Sequence, residues 1–118
     1  MIVTVTINPS VDRTIQLPSR LVRDSVLRAS AVTSQAAGKG VNVSRALAHA
    51  SIPTRAIVRA DYHDPYVREL VESGLAVVTV DPGASVRTNI SLAEPDGTTT
   101  KINEPGSPLS AAAVAALH

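Results

Sequence analysis

The chain has 118 residues, which suits one domain or part of a larger one; 44% are apolar, yet there is no Phe or Trp and there are only two Tyr. Its 11 Lys and Arg against 10 Asp and Glu leave a net charge of +1 without a basic run, which argues against nucleic acid as a partner. The absence of cysteine removes disulfides, thiol nucleophiles and thiolate metal sites, so any chemistry must rest on oxygen and nitrogen groups. An interior of Val, Ile, Leu and Ala alone is thin and depends on covering both faces of a sheet. No apolar run approaches the roughly 18 residues of a membrane span. Met1-Ile2-Val3-Thr4 opens without a basic leader, so a soluble cytoplasmic protein with no membrane partner is expected.

Ile2-Val3-Thr4-Val5-Thr6-Ile7 is β-branched throughout and stops at Asn8-Pro9-Ser10, which predicts a buried strand ending in a turn. Asp12 follows that turn. A carboxylate just past the C-terminal end of a strand stands where ligands bind in open α/β sheets, although capping of the turn is an equal reading. Thr14-Ile15-Gln16-Leu17 and Val26 to Val32 are extended candidates at an edge or in a lid. Arg28, in the second of them, either reaches an anionic ligand or lies on a solvated face.

Gln35-Ala36-Ala37-Gly38-Lys39-Gly40-Val41-Asn42 combines a flexible backbone, one positive charge and a side-chain amide. It opens into a helical pattern from Gly40, and a helix start with a lysine beside it favours phosphate or a polyhydroxylated ligand. Val43, Ala46, Leu47 and Ala50 make the apolar stripe, with Asn42, Arg45 and His49 on the polar side. His49 has no partner at metal spacing, so no metal site is expected. The Walker spacing fails around Gly38-Lys39, and no Gly-x-Gly-x-x-Gly is present.

Ser51-Ile52-Pro53 ends the helix, and Thr54 to Val58 is the next strand, completing a βαβ unit with a parallel sheet. Asp64-Pro65 to Gly74 carries an N-cap, proline at the first helical position, apolar spacing and a terminal glycine, so it is read as a helix. Ala76 to Val80 is a strand ending at Asp81-Pro82-Gly83. Arg87 to Glu94 and Thr98 to Glu104 flank Pro95-Asp96-Gly97, a three-residue hairpin loop with a left-handed glycine. The implied register sets Asn89 opposite Asn103 and Ser91 opposite Lys101, which makes one face wholly polar. A final helix is read from Ser110 to His118.

With these segments in place the sequence resembles the phosphofructokinase B group of ribokinase-like sugar kinases, in particular the bacterial 1-phosphofructokinases and tagatose-6-phosphate kinases. The resemblance runs from Met1 to Leu117. It rests on Thr-Ile-Asn-Pro-Ser-Val-Asp-Arg-Thr, Ala-Gly-Lys-Gly-Val-Asn-Val-Ser-Arg-Ala, Arg-Thr-Asn-Ile and Thr-Thr-Thr-Lys-Ile-Asn-Glu-Pro-Gly, in family order. It implies an α/β fold: a partial ribokinase-like parallel sheet with flanking helices and a small β-lid from strands near 14–32 and 87–104. Residues 1–118 then form the substrate-binding N-terminal part of a kinase domain.

The resemblance also implies a sugar-phosphate site. Asp12 matches an aspartate that binds sugar hydroxyls, and Gly38, Lys39 and Asn42 match the sugar-holding loop. Asn89, Lys101 and Glu104 match the lid and its neighbouring strand, while Arg28 and Arg87 suit the phosphate already on the substrate. ATP and Mg are implied for the full-length family and for no residue of this chain alone. The Gly-Ala-Gly-Asp loop that carries the family's base is missing from these residues, as is the adenine pocket, so no catalytic residue is assigned here. Two further departures stand out: Ala37 replaces the first of two usual glycines, and Arg59-Ala60 replace a Gly-Gly pair, which puts a left-handed hinge in question. The expectation is an ATP-dependent phosphosugar kinase, fructose 1-phosphate or alternatively tagatose 6-phosphate its substrate, of which this chain is an inactive substrate-binding part. The other readings are a non-catalytic sugar-phosphate-binding module, a homodimer through the lid, and a remnant without function.

Overall fold

A computed structural model describes residues 1–106 together with 108, 111 and 115, so the helix expected from Ser110 to His118 falls largely outside the described residues. In chain order the elements are β1 (Ile2–Thr6), β2 (Ser10–Gln16), β3 (Ala31–Ala37), α1 (Lys39–His49), β4 (Thr54–Arg59), α2 (Pro65–Glu72), β5 (Ala76–Val80), β6 (Arg87–Ala93) and β7 (Thr99–Asn103). They form two sheets. The body sheet has the order β1-β4-β5 and the lid sheet the order β3-β2-β6-β7.

The body is the βαβ arrangement expected from the alternation of strand and helix patterns. β1 pairs with β4 in parallel, Ile2 opposite Thr54, and β4 pairs with β5 in parallel, Arg55 opposite Ala76. α2 starts as its sequence dictates: Asp64 caps it by accepting the Tyr66 N–H at 2.9 Å, and Pro65 takes the first helical position. Val41 of α1 and Tyr66, Val67 and Leu70 of α2 bury themselves against Ala56 and Val58, so both helices share one face of the body sheet.

Three expectations change here. β1 is an edge strand rather than a strand covered on both sides, and Val3 and Val5 are 51% and 48% exposed on the face away from the helices. The stripe expected for α1 is also rotated. Val41 and Ser44 are the buried positions, whereas Val43 and Ala46 are exposed. The reason is a chain of hydroxyls under the helix: Ser44 Oγ lies 2.6 Å from Thr4 Oγ1 and 3.0 Å from Thr54 Oγ1. These small polar groups let the helix sit close to the sheet while pairing one another, and a plot of apolar positions cannot see them. The third change concerns the replaced glycine pair. Neither Arg59 nor Ala60 has a positive φ. Arg59 is instead buried, its Nε donating to Asp81 Oδ2 at 2.8 Å, and it is Asp81 that turns left-handed, at φ 54.

The lid differs from the expected strands near 14–32. Its strands are β2 and β3, paired antiparallel with Ser10 opposite Ala37, and residues 17–30 form the connection between them. The hairpin register is as read: Asn89 faces Asn103 and Ser91 faces Lys101. Gly97 has φ 93 and donates to the Glu94 carbonyl at 3.0 Å. The pairing of β2 with β6 in parallel joins the hairpin to the rest of the lid, and no local pattern in the sequence announces it. Among the described residues no helix is long and apolar enough to cross a membrane.

Replacing Ser44, which has no exposed surface, by Ala leaves the hydroxyls of Thr4 and Thr54 short of their shared partner. The expected loss is about 1–3 kcal/mol, read from the urea midpoint.

Candidate functional site

The site begins with a close approach. At Gly40 an added Cβ would lie 2.6 Å from Thr6 Oγ1 and 2.8 Å from the Val5 carbonyl oxygen, and at Gly38 it would lie 2.5 Å from Thr6 Cγ2. Gly38 also has φ 147, a conformation that L side chains rarely adopt. The two glycines are therefore needed for contact with the end of β1 more than for flexibility. Gly38 is the N-cap, and Lys39 and Gly40 already belong to the first turn of α1, one residue earlier than the expected start.

Gly38 cannot cap the helix with a side chain, so another residue does. The Val41 N–H donates to Thr6 Oγ1 at 3.0 Å, meeting one of the first-turn donors that lack an acceptor inside the helix. No acidic residue occupies that first turn, so the positive end of the helix keeps its preference for anions.

Beyond Thr6 the chain runs through residues 7–9 into β2, which carries Asp12. The aspartate is thus inside a lid strand rather than in a turn, with Gln35 on one side and Asn89 of β6 on the other. Its Oδ1 accepts from Ser10 Oγ at 3.1 Å and from Asn89 Nδ2 at 3.4 Å. A pair of weak donors leaves most of the carboxylate's acceptor capacity open.

Asp12, Gly38, Lys39, Asn42, Arg87 and Asn89 all line one cavity of about 540 Å³, with Thr6, Asn8 and Ser10 in the same wall. Arg87 Nε and Asn89 Oδ1 are buried without hydrogen-bond partners among the described residues. Such atoms are uncommon in folded proteins, and both belong to residues in this wall. A second cavity of about 490 Å³ shares Asp12 and Asn89 and is lined by the polar lid face, including Thr14, Gln35, Ser91, Lys101 and Asn103. The polar face predicted from the hairpin register is therefore a cavity wall, continuous through Asp12 with the glycine-lysine turn.

Two of the nine candidates lie elsewhere. Arg28 is exposed in the 17–30 connection and lines neither cavity. Glu104 lines neither cavity and acts on its neighbours: its Oε1 accepts the Thr88 N–H, and its backbone carbonyl accepts from Arg87 Nη1 at 3.2 Å. Sequence reasoning missed Thr6 and Ser10. The signal for Thr6 was a hydroxyl on the helix-facing side at the last position of β1; for Ser10 it was the two-residue spacing to Asp12, which puts both on one strand face. Among the described residues no group of three or more His, Asp or Glu side chains converges to hold a metal ion.

No protein-family model matches the chain. A 1-phosphofructokinase of Xanthomonas campestris pv. campestris is 37% identical over 110 residues, covering 88% of this chain and 33% of that protein. A 1-phosphofructokinase of Rhodobacter capsulatus is 32% identical over 108 residues, covering 89% and 34%. Phosphofructokinase-2 from Escherichia coli, in its complex with fructose-6-phosphate, matches the fold with a TM-score of 0.83 and 28% identity, over 95% of this chain and 38% of that one. The chain spans about a third of the length of the curated relatives it matches.

Gly40→Ala, which forces a methyl group against the β1 backbone, is expected to cost about 1–3 kcal/mol as an overpacking substitution. A shift of the thermal or urea midpoint checks it; an unshifted midpoint would mean that α1 can move off β1 at no cost.

Proposed function

From its place in the phosphofructokinase B group of ribokinase-like carbohydrate kinases, whose N-terminal part this chain matches, we propose that these residues are the sugar-phosphate-holding side of an ATP-dependent phosphosugar kinase, with fructose 1-phosphate as substrate. The observation that carries this reading is the convergence of Asp12, Gly38, Lys39, Asn42, Arg87 and Asn89, from β2, the start of α1 and β6, on one cavity of about 540 Å³.

Each group has a role that its chemistry suits. The Asp12 carboxylate accepts hydrogen bonds from sugar hydroxyls, held in place by Ser10 and Asn89. Lys39 and Arg87 supply positive charge for the phosphate the sugar already carries, and the α1 N-terminus adds to it. Arg87 is steadied by the Glu104 carbonyl, which gives Glu104 a supporting role in place of a direct one. Asn42, in the first turn of α1, offers an amide to a hydroxyl or a phosphate oxygen. Lys101 adds positive charge to the adjoining wall.

Phosphoryl transfer is chiefly positioning and charge stabilisation around both reacting groups. The residues in hand provide one side of that arrangement. They include no Gly-Ala-Gly-Asp segment, and we assign them neither a base nor a ligand for ATP or Mg²⁺. On this reading the chain is cytoplasmic and binds without transferring. β7, exposed along its whole length at the open edge of the lid, offers unpaired backbone groups to a second copy.

Titration calorimetry of the 118-residue chain is expected to detect fructose 1-phosphate binding that Asp12→Ala weakens at least about tenfold. Tighter binding of tagatose 6-phosphate would reassign the sugar, and no binding of either at millimolar concentration would defeat the reading. With ATP and Mg²⁺ present the same chain is expected to form no fructose 1,6-bisphosphate. Sedimentation should show a dimer that Thr99→Pro disperses, because the Thr99 N–H faces away from β6 while that of Thr100 faces it; a monomer at all concentrations rules out the lid contact.

A further inference from the structure

Helix α2 reaches the last two residues of β3 with two side chains. Tyr66, 2% exposed, donates its Oη to the Ala37 carbonyl at 2.7 Å. Glu69, one turn further along, accepts the Ala36 N–H on Oε2 at 2.5 Å. Ala36 and Ala37 are themselves buried and pair with Val11 and Ser10 of β2. The body helix therefore grips the lid at one backbone N–H and the following backbone C=O.

The location of that grip gives it a consequence. Gly38, the next residue after Ala37, is a wall of the 540 Å³ cavity, and Asp12, the next residue after Val11, is another. A change in the angle at which β2 and β3 leave the body would move Asp12 relative to Lys39 and Asn42. Neither Tyr66 nor Glu69 lines either cavity, so both act on the site through backbone. Burial of the Tyr66 phenol, above all, pushes its pKa well above the usual tyrosine range, so it stays a donor at neutral pH. Glu69 thus offers the Ala36 N–H a side-chain carboxyl oxygen from another element, part-buried between α2 and β3.

We propose that Tyr66 and Glu69 are positioning residues that clamp the lid to the body at Ala36–Ala37 and thereby hold Asp12 and the Gly38–Asn42 turn in one cavity, without touching the ligand. Its effect on ligand affinity rests on the sugar-phosphate reading above; its effect on lid orientation does not.

The test uses the 118-residue chain with Tyr66→Phe, which removes one oxygen and keeps the ring, with Glu69→Ala, and with Glu69→Gln, whose amide oxygen still accepts from Ala36. Residual dipolar couplings report lid orientation, amide exchange at Ala36 reports the grip, and fructose 1-phosphate titration reports the site. In Tyr66→Phe and Glu69→Ala the couplings of β2, β3, β6 and β7 should shrink relative to those of α1 and α2. The Ala36 amide should exchange at least tenfold faster in Glu69→Ala, and affinity should fall at least fivefold in both; Glu69→Gln should recover most of both losses. Unchanged lid couplings and Ala36 exchange overturn the clamp, as does loosening of the lid without loss of affinity. If the unsubstituted chain binds no phosphosugar, the functional reading fails, and the clamp is decided by couplings and exchange alone. Should Glu69→Ala fail to fold, Tyr66→Phe and Glu69→Gln still decide it by the same measurements.

Discussion

The contact on which the rest depends is the approach of the first turn of α1 to the end of β1. Gly40 leaves no room for a methyl group beside the Val5 carbonyl, and the Thr6 hydroxyl caps the helix through Val41. A helix brought this close presents its N-terminal end beside the C-terminal end of a parallel strand, where open α/β sheets bind ligands. Because β1 passes after three residues into β2, the same contact also fixes where the lid leaves the body and where Asp12 stands. Helix, cap, lid and cavity are consequences of one short backbone distance.

The body has an unbalanced interior. α1 and α2 cover one face with a small core around Val41, Ala56, Val58, Tyr66, Val67 and Leu70. The other face leaves Val3, Val5 and Val78 exposed, although parallel sheets are ordinarily covered on both sides. With so few apolar residues buried, specific polar pairs carry more of the organisation: the Thr4–Ser44–Thr54 hydroxyls, the Arg59–Asp81 ion pair, and the bonds from Tyr66 and Glu69 to β3. A buried network of this kind contributes when each member is paired and costs about 1–3 kcal/mol when one neutral member is removed.

The candidate site was legible where local chemistry decides the outcome. The helix from Pro65 was readable because Asp64, Pro65 and Gly74 act within a turn of their own positions. The hairpin was readable because Pro95-Asp96-Gly97 sets the loop length, and the loop length sets the register that makes a polar face of Asn89, Ser91, Lys101 and Asn103. The turn from Gly38 to Asn42 was readable as a helix start, although the reason for its glycines was not. Arg28 and Glu104 lie outside both cavities, which the sequence does not announce because an arginine or glutamate in a polar stretch carries no local signal of which way it faces; Arg28 is in the 17–30 connection, and Glu104 bonds Thr88 through its side chain and Arg87 through its carbonyl.

By itself the sequence determined the elements of the body and the hairpin, though not the bounds of β2 and β3: βαβ alternation, a capped second helix, a hairpin with its register, and a cysteine-free, nearly neutral chain. All of these follow from interactions spanning a few residues. Only the tertiary structure decided that β2 pairs with β6 in parallel, that Ser44 and not Val43 faces the sheet, and that Asp12, Lys39 and Arg87 share one wall. These outcomes depend on contacts between residues tens of positions apart. Such contacts are chosen by which small or hydroxylated side chains let backbones come close, and hydrophobic periodicity does not record that.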